Sequence, residues 1–146
     1  MRRSLIKRAP MLFGVAALVA CGSDSTAPNN TVAGAYVATQ FVTTGSSGQT
    51  NQLLAGSSLL LNLGANGSVS GQLHMPATNG NPVLDADMAG TWAQSGNTIT
   101  FAQSADTFVR NMTFALVANG NLWELVGDGG PVGTRIQITL SQQATL

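Results

Sequence analysis

The sequence predicts an all-β fold: a single antiparallel meander of about eight strands, closing most simply into an up-and-down barrel. Three observations predict it. From Val32 onward the chain is rich in Gly, Thr, Asn and Val and poor in Lys, Glu and Arg, the residues that favour helices. Turn signals recur at short intervals: GANGS at 64–68, TNGNP at 78–82, QSGNT at 94–98, ANGN at 118–121 and GDGGP at 127–131. Asn-Gly and Gly-Asn pairs tolerate the positive φ that tight hairpins require. The segments between these turns alternate apolar and polar residues, the mark of a sheet with one dry face and one wet face.

The chain opens differently. Arg2, Arg3, Lys7 and Arg8 charge its start, and MLFGVAALVA at 11–20 then runs without a charge. Such a run is too short for a bilayer core of about 30 Å, which takes about 20 helical residues. It fits the roughly 7–15-residue apolar region of a secretory signal. Leu18-Val19-Ala20-Cys21 resembles the lipobox of bacterial lipoproteins, and Cys21 is the only cysteine in the chain. The resemblance implies cleavage between Ala20 and Cys21, a thioether-linked diacylglycerol on Cys21, and acylation of the new amino group. Three acyl chains make attachment effectively permanent, at about 0.8 kcal/mol per buried methylene. In such lipoproteins an aspartate after the cysteine often marks inner-membrane retention. Gly22 stands there instead, so the outer membrane is expected, with the domain facing the periplasm or cell surface.

GSDSTAPNNT, residues 22–31, is small and polar and has too little apolar surface to order itself. It reads as a flexible tether spanning roughly 17 Å root-mean-square. The expected organisation is a signal peptide at 1–20, a lipidated cysteine with its tether at 21–31, and a β-barrel domain at 32–146.

Eight strands are expected in that domain. They are GAYVATQFV (34–42), SSLLLNL (57–63), SVSGQLHM (68–75), LDADMAGTWAQ (84–94), TITFAQ (98–103), DTFVRNMTFALV (106–117), NLWELV (121–126) and TRIQITLSQ (134–142). Leu59, Leu61 and Leu63 share one face, as do Val69, Leu73 and Met75. Met88 pairs by parity with Trp92, and Ile99 with Phe101. Phe108, Met112, Phe114 and Leu116 form another apolar face, and Ile136, Ile138 and Leu140 another. Closing the meander removes exposed edges, although periodicity alone leaves a sandwich or a partly open barrel available. The body is similar to the lipocalin-like barrels. GAY at 34–36 opens the first strand where those proteins carry Gly-x-Trp, and GTW at 90–92 matches that triplet within the fourth.

Charge and cysteine content exclude several functions. Beyond the leader two arginines face six carboxylates, about −4 in all, so there is no basic footprint for nucleic acid. A lone cysteine forms no internal disulfide. His74, the only histidine, shares parity with Ser68, Ser70 and Gln72 and is expected on the wet face. With no base and nucleophile in register, enzymatic activity is not expected. Asp85 and Asp87 share a face, but no third acid lies near them in sequence to complete a metal site, so neither metal nor cofactor is expected. GDGG at 127–130 lacks the lysine and helix of a phosphate loop and reads as a turn.

Arg110 has the parity of the apolar face formed by Phe108 and Met112. A buried guanidinium needs a partner. Asp106 or Glu124 supplies it, or Arg110 sits at the barrel mouth, or it anchors the carboxylate of an apolar ligand, with Trp92, Phe101, Met112 and Phe114 lining the chamber. An eight-stranded barrel is either packed solid or holds one small ligand. The expected function is therefore binding of a small apolar or amphipathic ligand by a membrane-anchored domain. The alternative is a solid-cored interaction or structural module that uses its polar outer face or its loops.

Overall fold

The computed structural model describes residues 31–78 and 80–144. The expected signal peptide, Cys21 and residues 22–30 of the tether lie outside the described residues. Among the described residues ten strands form: β1 (Gly34–Gly45), β2 (Gly48–Asn51), β3 (Ser58–Leu63), β4 (Ser68–Met75), β5 (Leu84–Asp87), β6 (Gly90–Ser95), β7 (Thr98–Gln103), β8 (Thr113–Asn119), β9 (Leu122–Gly129) and β10 (Arg135–Gln142). A single helical turn, α1 (Phe108–Asn111), precedes β8.

Eight of these strands close a ring in the order β1, β3, β4, β6, β7, β8, β9, β10, every pairing antiparallel. The seam is the β1–β10 ladder, which runs from Tyr36 opposite Gln142 to Thr44 opposite Arg135. The other two strands are additions to the ring. β2 folds back on the second half of β1, and β5 pairs with the second half of β4.

Inward positions are apolar apart from Gln103 and Gln142, each toward a strand end. Tyr36, Phe41, Leu59, Leu61, Leu63, Leu73, Met88, Ile99, Phe114, Leu125, Ile138 and Leu140 are buried side by side in one core. Outward positions such as Ser70, Gln72, Thr91, Thr100 and Thr113 are exposed and polar. This is the reverse of a bilayer-spanning barrel, whose apolar band faces out.

Three local features depart from the simple meander. The stretch 84–94, expected as one strand, breaks at Met88-Ala89, where β4 changes partner from β6 to β5. Two glycines flank the change of partner where backbones approach closely: a Cβ on Gly71 would lie 2.0 Å from the Leu60 carbonyl oxygen, and one on Gly90 2.1 Å from that of Ala102. The expected strand over 106–117 is also corrected, because it begins as α1 and becomes β8 only at Thr113. A helical turn brings Phe108, Val109 and Met112 to one side, and Val109, which would face outward in a strand, is fully buried. Finally, Gly127 to Gly129 belong to β9 rather than to a turn.

The up-and-down order gives the barrel two unlike ends. Thr31–Ala33 enter at one, the near end, beside the close of β10 and the turns β3–β4, β6–β7 and β8–β9. Gln142 binds the entering chain there, donating from Nε2 to the carbonyls of Thr31 (2.8 Å) and Ala33 (3.1 Å). Its Oε1 accepts from the Trp123 backbone N–H at 3.1 Å. The opposite, far end carries the β1–β2 hairpin tip, the connections at 52–57, 76–83 and 104–112, and the β9–β10 turn.

Candidate functional site: the far mouth of the barrel

The far end is where the chain departs from regular sheet. After β7, residues 104–107 lead into α1, which lies over the open end of the ring. Val109 enters the core, and the Phe108 ring meets Phe41 with centroids 5.4 Å apart and planes tilted by 44°. Between α1 and the β9–β10 turn lies a half-open cavity of about 320 Å³. Its walls come from Asp106, Thr107, Phe108, Asn111 and Met112 on one side and from Gly130 and Pro131 on the other.

Polar groups at this mouth are unevenly satisfied. The Asn111 side-chain amide donates to the Thr107 carbonyl at 3.3 Å. Arg110 donates to the Asp106 carboxylate one helical turn back. Thr107 is only 6% exposed, yet its hydroxyl has no hydrogen-bond partner among the described residues. The side-chain oxygen of Gln103, four residues earlier, is likewise buried without one, although its amide donates to the Met88 carbonyl at 3.3 Å. Each such orphan costs about 1–3 kcal/mol unless something meets it.

Residues singled out from the sequence scatter. Phe101 and Phe114 pack edge to face at 5.4 Å in the middle of the barrel, and Met112 packs against Gly127. They fill space with one another. Trp92 is partly buried, and its indole N–H donates to the Gly64 carbonyl at 2.9 Å beside the β3–β4 turn, toward the near end. Arg110 does not face inward as strand parity placed it. On α1 its side chain is 36% exposed, and it pairs with Asp106. Met112 alone of the five touches the cavity.

No protein-family model matches this chain, and no curated protein matches its sequence. What the mouth can do must therefore be read from its own groups.

Two further ion pairs lie on the surface among the described residues. His74 Nδ1 and Asp85 Oδ1 lie 2.6 Å apart across the β4–β5 ladder. Asp128 takes a forked contact from Arg135, with Nε donating to Oδ1 at 2.8 Å, and this hydrogen bonding holds the carboxyl below the usual carboxylate range. Asp87 is exposed, and no group of three His, Cys, Asp or Glu comes together among the described residues.

Thr107, Asn111, Gly130 and Pro131 escaped the sequence reading. The fold alone reveals them: Thr107, Val109 and Met112 are all buried, and no period-2 pattern buries both 109 and 112.

Proposed function

We propose that this chain is a bacterial envelope lipoprotein, held by acyl chains on Cys21, whose barrel is a non-catalytic binding head for a small amphipathic ligand. The ligand is taken at the far mouth rather than inside the ring. The observation that carries this reading is the half-open cavity at the end opposite the point where the chain enters the barrel. A tether running from Cys21 to that near end would leave the mouth directed away from the membrane. The inward side chains pack into one core cluster, which favours the mouth over the interior.

Two experiments test the two halves of this reading. Cys21→Ser should leave an uncut, unlipidated precursor on a labelled-palmitate gel; normal processing and membrane attachment would defeat the anchoring. Native mass spectrometry of the protein drawn from its own membrane should show a co-purifying small molecule. Consistently bare protein would defeat ligand binding and favour the second reading, a structural or interaction module, which the filled core also suits.

A further inference from the structure

We infer that the far-mouth cavity selects a molecule with a ring-sized apolar body and a head that donates hydrogen bonds, a hydroxyl or an amine. The inference rests on the ligand-binding reading above and adds the chemistry of the ligand. A volume of about 320 Å³ stands at the small end of ligand sites, which run from about 300 to 1,000 Å³. It suits a ring better than a long acyl chain.

The apolar walls are already in place. Phe108 is held against Phe41, Met112 is 5% exposed, and Pro131 is rigid by its own ring. The polar groups left over are mostly acceptors. Asn111 gives one amide N–H to the Thr107 carbonyl and keeps its second N–H and both lone pairs of Oδ1. Asp106 uses Oδ1 for Arg110, which leaves Oδ2. A ligand that donates completes these groups, whereas an anionic head would face the Asp106 carboxylate.

The second, independent observation is the buried Thr107 hydroxyl. Thr107 contributes to the cavity wall, and its Oγ1, closed off from solvent, lacks a partner among the described residues. Buried polar atoms are rarely left so, and a hydroxyl can both donate and accept. Gln103 Oε1, orphaned four residues away, lies at the same end of the ring.

The test uses three probes with one body and different heads: 2-phenylethanol, phenethylamine and phenylacetate. Each is titrated into the full chain in lipid nanodiscs while backbone amide resonances are followed. The expected result is saturable shifts at residues 106–112 and 130–131 with the alcohol and the amine, and about tenfold weaker binding of phenylacetate. Asn111→Ala, a change at an exposed position, should weaken the first two about tenfold, the loss of one well-made hydrogen bond. Resonances of Gln142 at the near end should not move. The comparison of heads on the unaltered chain stands whatever N111A does to the fold. Equal affinity for all three heads, or no saturable shift with any of them, would overturn the inference. If a small molecule still co-purifies in that event, the binding reading survives and only the head chemistry falls.

Discussion

Gly127 shows how little spare room the barrel holds. It faces inward from β9, and a Cβ there would sit 2.7 Å from the Phe114 ring and 2.9 Å from the Met112 methyl. Its missing side chain is what lets two large ones lie flat. Gly127→Val should therefore cost about 1–3 kcal/mol by overpacking, seen as a lower urea midpoint at unchanged slope. Tyr36 makes a different demand. Its hydroxyl donates to the Val32 carbonyl at 2.7 Å, and burial pushes its ionisation well above the usual value of 10.0. The folded chain then keeps a proton that the unfolded chain gives up above that value. Stability should hold level across neutral pH and fall once pH passes about 10, with a limiting slope of about 1.4 kcal/mol per pH unit. Tyr36→Phe should remove that alkaline limb while costing about 0.5–1.5 kcal/mol for the lost hydrogen bond; urea titrations across the pH range check both.

Among the elements, alternation was a good guide wherever one face is dry and the other wet. β4 and β7 have the limits their sequence pattern predicts, and β3 differs by one residue. The pattern fails for identifiable reasons. Phe108, Met112, Phe114 and Leu116 satisfy period 2, but Phe108, Val109 and Met112 also satisfy a helical turn. Only the need to cover an open barrel end decides between them. Met88 is buried and keeps its inward parity through the break between β5 and β6, so nothing in the residue order announces it. β2 is GQTN and wholly exposed, with no apolar residue to signal a strand. The cavity was legible only through Met112, because its other walls come from a helical turn and a Gly-Pro turn that converge in space alone. If α1 serves as a cover, Val109→Asp should release it by placing an unpaired charge in the core. Hydrogen exchange should then quicken at 104–112 while β3, β4 and β10 keep their protection. Equal quickening throughout would mean that α1 is part of the folding core.

At the scale of the whole molecule, the closed ring explains how so weakly charged a surface avoids edge pairing. The seam strands β1 and β10 are bonded to each other, and the added strands that end in a free edge, β2 and β5, are only four residues long. The contrast between the ends follows from the same closure. One end is drawn tight by Gln142 and short turns, and the other keeps its longer connections and the cavity. Burying any inward residue is correspondingly costly to undo: Leu61→Ala should destabilise by about 2–5 kcal/mol, measured by thermal or urea unfolding, wherever along the ring such a change is made. The core is one cluster rather than two. A circle of strands, moreover, has no first member. Gln143 N–H bonds the Ala35 carbonyl at 2.8 Å, so residues 31 and 143 could be stitched together by a short linker and the polypeptide opened afresh at the exposed 46–47 tip. Such a circularly permuted chain should rebuild the same ladder pairings, recognisable by their cross-strand amide contacts in solution.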